Sequence, residues 1–168
     1  MSIAHFLIVG TNYHPEPKRE LKAAQKDAQK IGEIFKDFSQ QHTVISLIGE
    51  EATKKAIESV IDDLSKTSDP SDILIIYWAG HVERKKNHNW LITNNIKSVN
   101  KAETFGFVLE NHLLSIDGFA QRISDLEKYK NKVFIFDTCY SESIESILSI
   151  DCISESITIL AASRTDLF

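Results

Sequence analysis

Two residues able to serve as a nucleophile and a proton carrier stand at matching places in the chain. Cys139 closes the run Lys132-Val-Phe-Ile-Phe-Asp-Thr-Cys139, and His81 closes Asp72-Ile-Leu-Ile-Ile-Tyr-Trp-Ala-Gly-His81. Both runs are β-branched, aliphatic or aromatic until they meet a polar group, the pattern of strands buried on both faces. Open α/β sheets place their sites at the carboxyl ends of parallel strands, and neighbouring strands lie about 5 Å apart. If the two strands share such a sheet, His81 and Cys139 face each other.

The pair has a defined chemistry. A thiolate is the reactive form of cysteine, and a free thiol with a pKa of about 8.5 is mostly protonated at neutral pH. A neighbouring imidazole takes that proton and later returns it to the amine expelled when a peptide bond is cut. The residues taken singly leave a second reading open. Cysteine is among the most buried residue types, and a histidine after Gly80 also suits a turn. The coincidence of two matching strand ends in a chain with two cysteines favours a cysteine hydrolase.

Strand, Ala79-Gly80-His81, then a second long apolar strand and Asp137-Thr-Cys139-Tyr-Ser141 resembles the caspase and metacaspase cysteine proteases. The histidine precedes the cysteine by about 60 residues, close to the separation of about 50 expected for that class. Asp27-Ala28-x-x-Ile31-x-x-x-Phe35 is similar to the Asp-Ala-x-x-Leu-x-x-x-Phe of the family's first helix. The resemblance runs from Phe6 to Arg164. It implies a caspase-like α/β fold, a three-layer αβα sandwich around a mostly parallel central sheet, with the chain ending after the fifth main strand.

The resemblance also implies roles. Cys139 is the nucleophile and His81 the general acid/base, and the backbone N–H groups of Val82 and Cys139 are the oxyanion donors. Substrate contacts fall to Asp27, Asp137 and Ala79. Two carboxylates in a partly buried pocket favour a cationic side chain, so cleavage after Arg or Lys is expected. Caspases that select Asp hold Gln where Asp137 stands, together with arginines; Arg19 lies near one of those positions but not at it. Three features depart from the family. Val82 replaces the glycine that usually follows the histidine, and its bulk is expected to narrow the approach to the carbonyl. Glu142 stands where glycine is usual, and the chain stops at Phe168 without the last strand and helix that complete the pocket. A small-subunit-like segment or a regulatory partner is therefore expected.

Composition sets the bounds. With 168 residues, 42% hydrophobic and 26% charged, the chain is long enough for one soluble domain spanning 1–168 with its own core. A net charge of −5 argues against nucleic-acid or acidic-membrane surfaces. The first residues carry no basic leader, and their apolar run is too short to span a membrane, so a cytoplasmic location with reduced Cys139 and Cys152 is expected. The expected partner is a protein or peptide substrate.

The elements that must position the pair read in order. Ala4 to Val9 is a strand followed by Gly10-Thr-Asn-Tyr-His-Pro-Glu-Pro17, a loop without the glycine pattern of a phosphate cradle. Leu21, Ala24, Ala28, Ile31, Phe35 and Phe38 define one face of a helix over 20–38, with Asp27 on its flank. Thr43 to Ile48 is a second strand, and Thr53 caps a helix whose face is Ala56, Ile57, Val60, Ile61 and Leu64. Asn89 to Thr93 is a short strand, and 94–114 reads as a loop or hairpin. Ser115 caps a third helix, 141–149 is helix or loop, and Ile157 to Ala162 is the fifth main strand.

No metal site is expected, because His88 and His112 have no partner at ligand spacing. No cofactor is expected either. Calcium activation occurs in the family, but Glu142, Glu145 and Asp151 form no calcium loop. No Lys or Arg lies between Cys139 and Arg164, so a basic-directed enzyme has no self-cleavage site there. Two rivals stand beside the protease. One is an inactive caspase-like scaffold that binds a partner, favoured by Val82, Glu142 and the missing end. The other is a receiver-type domain with Asp137 at a strand end, which lacks an acidic pair after the first strand to hold magnesium.

Overall fold

The computed structural model describes residues 3–15, 17–38, 42–67, 69, 72–85, 88–94, 113–124, 126, 129, 131–138 and 157–162. Cys139, Cys152, Glu142, Glu145, His112 and the 141–149 segment lie outside them. Five parallel strands form the central sheet: β1 (Ala4–Gly10), β2 (Thr43–Ile48), β3 (Ile73–Gly80), β7 (Asn131–Thr138) and β8 (Ile157–Ala162), in the order β2-β1-β3-β7-β8. Their pairing is parallel throughout. Parallel neighbours need crossovers, and helices α1 (Ala24–Phe38), α2 (Lys54–Thr67) and α3 (Ile116–Ser124) lie within the connections.

Alternation along the strands sorts side chains onto two faces. Leu7, Val9, Leu74, Ile76, Trp78, Phe134 and Phe136 point to one face, where Ile57, Ile61 and Leu64 of α2 and Phe119 and Ile123 of α3 pack on them. Phe6, Ile8, Tyr77 and Ala79 point to the other, against Ala24 and Ala28 of α1. The result is the expected three-layer sandwich. The same alternation puts Asp137, next but one after Ile135, on the α1 face.

α1 approaches β1 closely because Gly10 has no side chain: a Cβ there would collide with the Ala28 Cβ and lie 3.2 Å from the Ala24 carbonyl. The helix begins at Ala24, four residues later than its apolar face suggests. A 3-10 turn, Pro17–Arg19, precedes the non-helical residues 20–23, and Asn12 takes hold of the approach. Its carbonyl accepts the Leu21 N–H at 2.9 Å, and its side-chain oxygen accepts the Gln25 N–H at 3.1 Å. The two expected caps are present, with Thr53 Oγ1 accepting from Ala56 N at 3.2 Å and Ser115 Oγ from Gly118 N at 3.3 Å.

A second sheet was not foreseen. β4 (Val82–Lys85), β5 (His88–Ile92) and β6 (Leu113–Ser115) pair antiparallel in that order, so the strand expected at 89–93 belongs to a separate three-stranded layer. It begins one residue after His81. Among the described residues no helix is long and apolar enough to cross a membrane.

Candidate active site

β3 and β7 run side by side in the register Ala79↔Asp137 and Gly80↔Thr138. His81 follows directly at the carboxyl end of β3, where the sheet edge opens. Gly80 lets the loop after β1 fold over this end: a Cβ on it would lie 3.1 Å from Trp78 Nε1 and 3.2 Å from Thr11 Cγ2. That loop is tied down by Thr11, whose N–H donates to the Ala79 carbonyl at 3.0 Å.

His81 is buried, and its Nε2 lies 2.6 Å from the Arg19 carbonyl. A carbonyl only accepts, so Nε2 carries the proton and, in the neutral ring, Nδ1 offers its lone pair. Burial pushes the pKa of the imidazole below its ordinary value of 6.5, helped by the charges of His14 and Arg19. The hydrogen bond to the Arg19 carbonyl and the charge of Glu83 act the other way. At neutral pH the ring is therefore a base able to take a proton at Nδ1.

Three groups surround this histidine. The buried His14 ring stands edge-on to it, with centroids 4.9 Å apart and planes at 71°. His14 Nε2 donates to Glu83 Oε1 at 3.1 Å, and the same oxygen pairs with the Arg19 guanidinium.

Val82 opens β4. The Ile92 N–H donates to the His81 carbonyl at 3.0 Å, while Val82 stands opposite Leu91. In an antiparallel ladder that makes Val82 and Leu91 a non-hydrogen-bonded pair, so the Val82 N–H points away from β5, out of the open edge of this sheet. The Val82 side chain goes the opposite way from the expectation. It is 3% exposed and belongs to the core cluster that includes Trp78, Leu91 and Phe119, so its bulk fills the interior.

On the α1 face, the Tyr77 hydroxyl donates to Asp137 Oδ2 at 3.2 Å. Burial raises the pKa of this phenol above its ordinary value of 10, and the charge of Asp137, the hydrogen bond to it and the charge of Asp27 raise it further. Both expected pocket carboxylates thus act on one phenol. Asp137 is exposed and Asp27 half-buried, whereas Ala79 is wholly buried, with its carbonyl taken by Thr11.

The sequence as a whole matches the family model of the caspase domain, Peptidase C14, over residues 4–164. The chain belongs to the caspase-domain family. Metacaspase-1 of Plasmodium falciparum (isolate 3D7) is similar at 24% identity over 150 residues, which is 82% of this chain and 24% of that protein. The chain thus spans about a quarter of the length of that curated relative. Among solved structures, protein GSU0716 from Geobacter sulfurreducens superposes with a TM-score of 0.59 at 16% identity, covering 81% of this chain and 50% of that one. That likeness concerns the fold.

Within this caspase domain, His81, Val82, Ala79 and Asp137 gather at the carboxyl ends of β3 and β7, and Asp27 reaches the same end from α1 by its effect on Tyr77. Sequence reading missed Tyr77, His14 and Glu83, and it considered Arg19 only as a selector of substrate. Tyr77 had a signal in being the first polar atom in an otherwise apolar strand. His14, Arg19 and Glu83 had none, because they meet only through the fold. Among the described residues no group of three His, Cys, Asp or Glu is arranged to hold a metal.

Proposed function

We propose that this caspase-family chain is the catalytic domain of a cysteine endopeptidase that cuts protein substrates after Arg or Lys. The observation that carries the reading is the register of β3 with β7. Among the described residues the pairing runs to Gly80↔Thr138, and the next residues in sequence after these two are His81 and Cys139. Parallel neighbours about 4.8 Å apart bring a thiol and an imidazole on such residues within reach of one another.

In this mechanism the Cys139 thiol gives its proton to His81 Nδ1, and the sulfur attacks the carbonyl carbon of the scissile bond. The developing oxyanion accepts hydrogen bonds from the N–H groups of Val82 and Cys139. The outward course of the Val82 N–H supports its part in this. His81 then protonates the departing amine, leaving a thioester on Cys139. Water, deprotonated by His81, attacks the thioester, releases the carboxylic acid and restores the thiol. Asp27 and Asp137 receive the cationic side chain before the cut bond, and Ala79 backs that pocket.

The activity is proposed for the protein in a reducing cytoplasm, with a small-subunit-like segment or a regulatory partner completing the pocket. A role in cell-death or defence signalling is part of this proposal. The proposed steps use no cofactor, and calcium activation is one arm of the test.

The test is hydrolysis of fluorogenic peptides ending in Arg, Lys or Asp, with and without calcium, by the longest form of the protein and by its Cys139→Ala variant. Cleavage after Arg or Lys that disappears in the variant is expected. Cleavage after Asp would overturn the acidic pocket, and no cleavage under any condition would make the chain a caspase-like scaffold.

A further inference from the structure

The tautomer of His81 depends on one acceptor, the Arg19 carbonyl, and that carbonyl sits in a weakly held piece of chain. Arg19 ends a three-residue 3-10 turn in which no residue is buried. Its backbone is tied by Glu20 N–H to the Pro17 carbonyl at 3.3 Å and by Leu21 N–H to the Asn12 carbonyl at 2.9 Å. The Arg19 guanidinium adds a side-chain restraint through its ion pair with Glu83.

Glu83 is well placed to transmit position. It lies two residues after His81, in β4, where it stands opposite Trp90. Its Oε1 takes both the Arg19 guanidinium and the His14 Nε2–H. Two closed paths therefore leave this carboxylate and return at His81. One runs through the Arg19 side chain and backbone to the carbonyl on His81 Nε2. The other runs through His14, whose ring stands edge-on against His81.

We propose that Glu83 is the positioning residue of the His81 acid/base: its carboxylate clamps Arg19 and His14 so that His81 keeps its proton on Nε2 and presents Nδ1 to the nucleophile. Glu83 does not touch the reacting atoms, and it acts through Arg19 and His14. The described groups that face His81 are His14 from the loop after β1, Arg19 from the 3-10 turn and Glu83 from β4. Of these, Glu83 alone carries a carboxylate, and its charge favours protonation of the ring, which His14 and Arg19 oppose. The inference rests on His81 being the general acid/base, and its test has one arm that does not need activity.

Glu83→Ala and Glu83→Gln are made in the full chain. The expected kinetic result for both is a fall in kcat of about 10- to 100-fold with KM kept within about twofold, since small displacements of a catalytic group carry costs of that order. The second arm reads the ring directly, by ¹⁵N NMR of His81 in a Cys139→Ala background. There, with Glu83 present, Nε2 carries the proton; in Glu83→Ala the two tautomers mix, and in Glu83→Gln the His81 pKa falls because a neighbouring negative charge is gone. If Glu83→Ala does not fold, judged by its thermal transition, Glu83→Gln carries the decision. An unchanged tautomer and pKa in the folded variants would overturn the proposal, as would an effect confined to KM. If the parent chain cuts no peptide, the protease reading fails, and the NMR arm still decides whether Glu83 sets the state of His81.

Discussion

The Tyr77 hydroxyl of β3 and the Asp137 carboxylate of β7 are joined by a 3.2 Å hydrogen bond on the face of the sheet covered by α1. The phenol is the donor, so it fixes the direction in which the carboxylate points. Asp27 adds a second negative charge that bears on the same phenol. In the proposed pocket a cationic side chain would meet both charges, with the Tyr77 hydroxyl keeping Asp137 in place.

Tyr77→Phe removes that donor. A hydrogen bond to a charged group contributes about 1.5–3 kcal/mol when buried, and the exposure of Asp137 reduces this toward about 1 kcal/mol. KM for a peptide ending in Arg is expected to rise several-fold, with a smaller change in kcat. Steady-state kinetics on peptides ending in Arg or Lys check this; an unchanged KM would remove Tyr77 from the pocket.

The same phenol makes stability depend on alkaline pH. Its folded pKa is raised by burial first and by the two carboxylates after it, so the native state holds the proton more tightly than the unfolded chain. The contribution is fully present below the unfolded value of about 10 and is lost as pH rises through the higher folded value. Urea midpoints taken from pH 9 upward should fall more steeply for the parent than for Tyr77→Phe.

At the other end of the sheet Asp72 works in the opposite direction. It is buried and accepts the Asp69 N–H at 3.0 Å, the Ile3 N–H at 2.9 Å and His5 Nε2 at 3.1 Å. These bonds, the one from Asp69 foremost, hold its pKa below the ordinary carboxylate value of 3.8 against the effect of burial. Its contribution is present above about 3.8 and is lost as pH falls through the lower folded value. Asp72→Asn should lower the melting temperature at pH 7 and flatten the acid side of the stability curve, as measured by thermal unfolding between pH 2 and 7.

His81 should half-titrate below pH 6.5 when followed by NMR in Cys139→Ala, which removes coupling to the thiol. Burial depresses its pKa, so the associated stability is present above about 6.5 and lost as pH falls through the folded value. Titration above 6.5 would mean that the ring is exposed or that Glu83 outweighs burial.

Gly10→Ala should be costly for its size. The added methyl meets the Ala28 Cβ and the Ala24 carbonyl, and neither lies at the end of a flexible side chain. Overpacking of this kind costs about 1–3 kcal/mol. Because Asp27 rides on α1 next to Ala28, displacement of the helix should also weaken cleavage after Arg. Denaturant unfolding and kcat/KM on the same variant measure the two effects.

Hydrophobic pattern carried much of the fold. The five main strands, the three helices and the caps at Thr53 and Ser115 follow from alternation, helical spacing and side-chain oxygens at helix starts, all local signals. The antiparallel layer was not legible. The polar stretch after His81 has no apolar period, and β4 is a strand because it pairs with β5. Val82 shows the same limit: as a side chain after the histidine it read as an obstruction, and only the direction of β4 turned it into the core.

The sequence by itself determined which residues could do chemistry and that apolar strands would carry His81 and Asp137 to a sheet edge, because burial of such runs is a property of the residues themselves. The tertiary structure alone decided what surrounds that histidine. His14, Arg19 and Glu83 come from a loop, a turn and a strand separated by up to 69 positions, and no local period links them. The proton on His81 Nε2 and the charge beside it are therefore consequences of how the loop after β1 closes over the end of β3.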